Sequence, residues 1–439
     1  MPFARPVPAP RGFRPWGWRP LVSALLALGL AGAAGGADPG PARLRVGTSG
    51  DYPPFSLLED FEAAGAATGF DVAVARAYAK QRGLEIEFVR FRWPDLVRDL
   101  EAGRFDLAMG GITVRPRRSV AGRFSVPVVE SGAVLLTQRP ASGQAADEFD
   151  RRGLRIGVNA GGHLEQVARE RFPHATLLSI PNNQAVREAL LAGSLDAAVT
   201  DTLEAPQWRR GAEELGQTAA FTRDRKAYLV RADRPALAAD LDTWLLERER
   251  DGSLEQLRRT ELGAESAAPT ATPLGALFAA IDERLSLMPW IGVAKRKLGL
   301  PLEVPEREAQ VLDAAVAATR AAATQAKVDP LPDDAVRAVF AAQLEAAKQV
   351  QWQTLRDPGF AADQPVPDLE KQLRPALLRI GERIAALLVS LPPGPGEAAL
   401  RTAARDGLRT PRLSEEAVAS IADAIVKLTQ AKAAKPAAR

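Results

Sequence analysis

The 439-residue sequence has no cysteine, which excludes disulfides, a thiol nucleophile and any cysteine-ligated metal. Histidine is nearly absent too: with His163 and His174 alone, a histidine-built metal centre and a Ser-His-Asp hydrolase are both poor fits. No excess of one charge stands out. Lys and Arg number 57 against 54 Asp and Glu, a net charge of +3 that offers no basic field for a nucleic acid. Long apolar runs are missing beyond the N-terminus. There an arginine-bearing, acid-free head, MPFARPVPAPRGFRPWGWRP, precedes LVSALLALGLAGAAGGA and then DPG. The apolar part is shorter than the ~20 residues of a membrane-spanning helix. Basic head, apolar middle and small residues before an acid predict a secretory signal peptide over residues 1–37, hence a periplasmic protein without stable membrane insertion.

What is present is globular: 46% hydrophobic and 25% charged residues, at a length that implies more than one core. Over residues 41–262, short apolar runs (LRVGT, EIEFVRF, DLAMGG, AVLLT, LRIGV, DAAVTD, AYLVR) alternate with amphipathic segments such as FDVAVARAYAKQRG and WPDLVRDLEAG. That alternation predicts an α/β fold with largely parallel sheets. AGRFDLAMGG and AGSLDAAVTD share Ala-Gly-x-x-Asp-x-Ala at identical spacing, which suggests two similar lobes around a shared cleft at the strand ends. AESAAPTATP, within a predicted linker over 263–273, is small-residue and proline-bearing. From 274 to 434 strand signals vanish and long Ala/Leu-rich helical periods take over, predicting an all-α second domain with a core of its own.

The stretch VTDTLEA places two acids, Asp201 and Glu204, after an apolar run. In a binder of amino acids one acid at a strand end is enough to hold a ligand's ammonium. The second invites another role, donation of a proton from a carboxyl whose pKa is raised in a water-poor cleft. Asp201 has the alternative of capping the following helix, since Asp is a preferred N-cap.

GTSGDYPPFSLL, GFDVAVARAYAKQRG and RFDLAMGGITVRPRRSVAGRFSVPVV resemble the two-lobed, type II periplasmic solute-binding proteins for polar amino acids. WPDLVRDLEAGRFDLAMGGI, VNAGG, TDTLEA and RKAYL resemble one enzymatic branch of them, the cyclohexadienyl dehydratases. That resemblance implies conversion of prephenate to phenylpyruvate, or of arogenate to phenylalanine, with Glu204 as general acid, Asn159 as a substrate-binding amide and Lys226 as a cleft cation. It further implies that Arg118, near Thr113, forks onto a substrate carboxylate, that Asp201 meets an ammonium and that Trp93 walls the cleft. Trp93 as plain core is the alternative. His163 and Leu164 depart from the small polar residues common after the glycines, and a solvent-facing histidine at a helix start is expected there.

DERLSLMPWIGVAKRKLGLPLEVPEREAQVL and VRAVFAAQLEAAKQVQW resemble the exported, all-helical chorismate mutases. Their reaction is a pericyclic rearrangement, which needs cations and a fixed substrate conformer but no nucleophile, proton transfer or cofactor. The resemblance implies that Arg284, Arg307 and Arg374 bind carboxylates, and that Lys295 and Gln351 contact the ether oxygen. Arg284 and Lys295 lie eleven residues apart, close to three helical turns, so both face one side, with Pro289 bending the helix between them. Val304 and Val311 stand where relatives often carry polar residues. Together these features predict a bifunctional, cofactor-free enzyme acting on chorismate, prephenate or arogenate, expected as a homo-oligomer. The competing reading is a transport binding protein with a helical interaction module.

Overall fold

A computed structural model describes residues 42–58, 66–138, 144–266, 268, 270–357 and 365–434. The expected signal peptide lies outside the described residues. Among the described residues, no helix is long and apolar enough to cross a membrane.

The described residues open with β1 (Arg43–Thr48), β2 (Asp51–Tyr52), β3 (Ser56–Leu57), α1 (Phe70–Arg82), β4 (Glu85–Arg90), α2 (Leu96–Glu101), β5 (Leu107–Ala108), α3 (Pro116–Ala121) and β6 (Gly122–Phe124). It then crosses through β7 (Val129–Ser131) to β8 (Ala133–Thr137), β9 (Arg155–Asn159), α4 (His163–Arg171), β10 (Thr176–Ile180), α5 (Asn183–Leu191), β11 (Ala197–Asp201), α6 (Ala205–Trp208) and β12 (Gly216–Gln217). A second crossing, β13 (Asp224–Lys226), returns it to β14 (Leu229–Arg231), α7 (Pro235–Arg250) and α8 (Ser253–Glu261). Each lobe holds a five-stranded sheet, β4-β1-β5-β14-β6 and β10-β9-β11-β8-β12.

The sheets are less parallel than the sequence suggests. In the first, β1 pairs in parallel with β4 and β5, whereas β14 pairs antiparallel with β5 and β6. In the second, β9 pairs in parallel with β10 and β11, whereas β8 pairs antiparallel with β11 and β12. The cause is the double crossing. A strand that arrives from the other lobe is not fed by a crossover helix, so nothing imposes the parallel direction.

The repeated Ala-Gly-x-x-Asp motif occupies equivalent places. Asp106, just before β5, accepts hydrogen bonds from the Arg45 amide at 3.1 Å and from its guanidinium, which also donates to the Gly103 carbonyl at 2.8 Å. Asp196, just before β11, receives the Arg155 amide at 2.8 Å, and that guanidinium reaches the Gly193 carbonyl at 2.9 Å. Each Asp thus ties the start of its strand to that strand's parallel neighbour, β1 in one sheet and β9 in the other.

The helical segment comprises α9 (Pro273–Ser286), α10 (Met288–Lys297), α11 (Pro305–Ala326), α12 (Asp333–Arg356), α13 (Arg374–Ser390), α14 (Glu397–Gly407) and α15 (Glu415–Ala434). Thr272 caps α9 through its hydroxyl, which accepts the Gly275 amide at 3.1 Å. The expected bend at Pro289 is a break at Leu287: proline has no N–H for the preceding turn, so α9 stops and α10 restarts.

The expected separate cores are in fact joined. One apolar cluster runs from Val46, Phe70 and Trp244 of the first lobe into Leu277, Ile281, Ile384 and Leu388 of the helices. Polar contacts cross the same seam. Arg383 of α13 meets Asp242 at 3.2 Å, Glu283 at 3.0 Å and the Ser125 carbonyl at 2.7 Å. Burial pushes both carboxyls upward and the Arg383 cation opposes it. Arg383→Ala strands both buried acids, so it is expected to destabilise the protein by about 3–5 kcal/mol in denaturant unfolding. A change below about 1 kcal/mol would show that the seam contributes little.

Candidate active sites

The antiparallel pair β7–β13 is the ribbon that links the lobes, with Arg225 opposite Glu130 and Lys226 opposite Val129. Strand alternation sends neighbouring side chains to opposite faces. Asp224 and Lys226 turn toward the cleft, while Arg225 pairs at 2.8 Å with Asp282 of α9 and donates to the Gly407 carbonyl.

The cleft is lined by Trp93, Thr113 and Arg118 from one lobe, Asn159, His163 and Asn183 from the other, and Lys226 from the ribbon, with Tyr52 and Leu164 among the other lining residues. The lobes touch at its rim, where the Pro94 ring abuts Gly161; at φ +76° and with no room for a Cβ, only glycine suits that position. Trp93 stands edge-on to Tyr52 and to Phe91, with ring centroids 5.8 and 5.4 Å apart, so it is both wall and packing residue.

Arg118 is buried and lies 5.8 Å above the Trp93 ring, and its Nη1 donates to the Thr113 carbonyl at 2.8 Å. Among the described residues it pairs with no carboxylate. Burial and the nearby Arg115 lower its pKa to about 10, so it stays charged at neutral pH and is open to a ligand anion.

Asp201 and Glu204 sit behind the cleft at the end of β11, both almost fully buried. Asp201 Oδ1 accepts the amides of Leu203 at 2.9 Å and Glu204 at 3.0 Å, which is a cap. Its Oδ2 accepts the Tyr52 hydroxyl and pairs with Lys226 at 3.0 Å. Burial pushes this carboxyl upward, but Lys226 and the donors outweigh it, and the pKa is lowered. Among the described residues, no cation pairs with Glu204. Its Oε1 meets the Asn183 amide, its Oε2 the Thr200 hydroxyl at 2.7 Å, and burial followed by the Asp201 charge raises its pKa to about 8. Two adjacent acids are thus driven apart, one ionised and one protonated at neutral pH.

His163 is not solvent-facing. It opens α4 but is buried, its Nε2 lies 3.0 Å from Asp224 and against Arg115, and burial lowers its pKa to about 4. His174 lies outside the cleft and pairs at 2.6 Å with Asp150.

In the helical segment a second cluster is cationic. Lys295 on α10 donates to the Leu302 carbonyl at 2.7 Å, and its pKa is lowered by burial and then by Arg374 and Arg307. Arg307 is lowered likewise by burial and Arg374, so the three cations crowd one another. Arg374 pairs with Glu370. Arg284 is buried and pairs with no carboxylate among the described residues; burial lowers its pKa to about 10 and its Nη1 has no hydrogen-bond partner. Gln351 on α12 donates one amide hydrogen to the Ala347 carbonyl at 3.2 Å and lies 3.6 Å from the Met288 sulfur, just past the break after α9. Val304 caps α11 with its carbonyl, which accepts the Arg307 amide at 2.9 Å, and Val311 is half-buried.

Residues 44–264 match the bacterial extracellular solute-binding proteins, family 3. The chain belongs to that family. Its solute-binding domain is 35% identical over 233 residues to the cyclohexadienyl dehydratase of Pseudomonas aeruginosa, covering 52% of this chain and 85% of that protein. The L-cystine-binding protein of Escherichia coli is 27% identical over 224 residues, covering 51% of this chain and 83% of that protein. Among solved structures, an ancestral amino acid-binding protein described as a precursor of cyclohexadienyl dehydratase superposes with a TM-score of 0.47 at 29% identity, covering 50% of this chain and 96% of that one. Residues 275–352, beyond the solute-binding domain, match chorismate mutase type II.

Within the solute-binding domain, the structure brings Trp93, Thr113, Arg118, Asn159 and Lys226 to one cleft and sets Asp201 and Glu204 directly behind it. No sequence signal singles out Tyr52 or Asn183, although they carry the two acids' contacts to the cleft. DYPPF did mark Tyr52's neighbourhood, but no spacing rule links it to Asp201, 149 residues away.

Proposed function

We propose that this protein is an exported, bifunctional enzyme of phenylalanine biosynthesis. It would turn chorismate into prephenate in the helical segment, then dehydrate and decarboxylate prephenate, arogenate or both in the two-lobed domain. The observation that carries the reading is the meeting of two chemistries at one metabolite. A segment matching chorismate mutase type II, whose product is prephenate, shares a chain with a domain 35% identical to a cyclohexadienyl dehydratase. The family of extracellular binding proteins and the basic-then-apolar N-terminus support export.

In the cleft, Arg118 holds a substrate carboxylate and Asn159 donates to the substrate. The ring carboxylate leaves as carbon dioxide, its bonding electrons enter the ring, and the C4–O bond breaks. Hydroxide is a poor leaving group, so the Glu204 proton goes to that oxygen and water departs. Asn183, whose amide meets the Glu204 carboxyl and lines the cleft, marks where that proton enters. In the helices, Arg284, Arg307 and Arg374 hold the two carboxylates of chorismate in a compact conformer, and Lys295 and Gln351 face the ether oxygen as it gains charge.

Supplying chorismate to the full-length protein is expected to yield phenylpyruvate. Accumulated prephenate would remove the dehydratase reading. Unchanged chorismate would remove the mutase reading, and prephenate is then supplied directly.

Gln351 gives a sharper test of the second site. An amide donates a hydrogen bond at every ordinary pH, whereas a glutamate does so only when protonated. Mutase activity is expected to be flat through neutrality, and Gln351→Glu to make it climb as pH falls. A Gln351→Glu enzyme with an unchanged rate and profile would take the site assignment with it.

A further inference from the structure

We propose that the cleft selects a 2-oxo acid over the matching 2-amino acid, so that prephenate, not arogenate, is the substrate it favours. The inference rests on the dehydratase reading above and deepens it.

An α-ammonium group needs a carboxylate when it leaves water. Among the described residues lining the cleft there is no Asp or Glu, whereas Arg118 and Lys226 supply two cations. The acid best placed for an ammonium is Asp201, and it is fully committed. One oxygen caps two backbone amides; the other takes the Tyr52 hydroxyl and the Lys226 ammonium at 3.0 Å. Lys226 already stands where a ligand ammonium would have to go. Its three N–H groups reach Asp201, the Tyr52 oxygen at 3.2 Å and the Thr113 hydroxyl at 3.2 Å, so it is held there.

Of the remaining acids, Asp51 and Asp71 do not line the cleft, and Glu204 and Asp224 are engaged. Glu204 lies behind Asn183, and the proton it keeps for catalysis denies an ammonium its charge. Asp224 is spent on Arg115 at 3.0 Å, His163 at 3.0 Å and the Thr222 hydroxyl at 2.7 Å. An entering ammonium would therefore meet like charge without an anion to answer it, whereas a keto oxygen only needs a donor. Asp201 thus keeps the position of an ammonium receptor, and Lys226 cancels its charge.

The test measures kcat/KM of the full-length protein with prephenate and with arogenate. Alongside it, calorimetry measures affinities for phenylpyruvate and L-phenylalanine, which differ only in the oxo and ammonium groups. Both comparisons are expected to favour the oxo compound by at least about tenfold. A smaller preference, or one for the amino compound, overturns the proposal. If neither substrate is dehydrated, the dehydratase reading fails, yet the phenylpyruvate and L-phenylalanine pair still decides the selectivity. Lys226→Gln uncovers Asp201, so L-phenylalanine is expected to gain on phenylpyruvate by about tenfold or more. An unchanged ratio in that variant would overturn the role given to Lys226.

Discussion

Glu204→Gln is expected to lower dehydration by about three orders of magnitude, while prephenate still binds and mutase activity stays intact. Glutamine fills the same space and keeps partners for Thr200 and Asn183, but it has no proton to give. The wild-type enzyme adds a pH signature. Its acid form persists up to about pH 8, so dehydration is expected to hold through neutrality and to decline above that point. Stability gives an independent reading. This carboxyl titrates higher in the folded state, about 8, than its ordinary value of 4.5. Below pH 4.5 it is protonated folded and unfolded, and burial costs nothing extra. From there to about pH 8 the unfolded chain ionises and the folded one does not, so the wild type loses stability as pH rises. The Gln variant escapes that loss. Its unfolding free energy relative to wild type is therefore expected to improve between pH 5 and 8, by an amount on the order of a few kcal/mol. Near-normal dehydration in the variant would sink the general-acid role and revive the transport reading.

The parts of this molecule that were legible in the sequence are those encoded locally. Each of the seven apolar runs contains strand residues, and the Ala-Gly-x-x-Asp echo marked equivalent strands of the two sheets. Arg118 and Lys226 could be picked out because motifs carry them. What stayed hidden depends on chain return. No local pattern says that β14 comes back from the second lobe and so lies antiparallel, or that β13 turns Lys226 to the cleft and Arg225 to α9. The small-residue linker suggested independence of the two parts. Yet the residues that join them, Asp282 and Glu283 on α9 and Arg383 on α13, look in sequence like the charged face of any surface helix. The burial of His163 is hidden for the same reason. A histidine opening a helix is usually wet, and only the closeness of Asp224, 61 positions on, buries it.

Arg284 separates a catalytic cation from a structural one by the direction of two measurements. A structural arginine pairs with carboxylates, and its loss weakens the fold. Arg284 is buried on α9 with no carboxylate partner among the described residues and with Nη1 unbonded, so the fold carries a desolvated charge uncompensated. Glu283, its sequence neighbour, is turned to Arg383 and cannot serve. Such a charge persists where a ligand anion completes it, at a cost in stability to the empty protein. Arg284→Met keeps the bulk of the stem and removes the cation. Mutase activity is expected to fall by about 10³-fold, since one positioned donor to a transition state contributes on the order of 10²–10³. The melting temperature of the ligand-free variant is expected to stay level or rise, because a methionine needs no counter-charge. Dehydration of supplied prephenate is expected to continue, since the cleft lies in the other half of the chain. A variant that loses stability and keeps its mutase rate would make Arg284 a scaffold residue, and the chorismate site would then have to be sought away from α9.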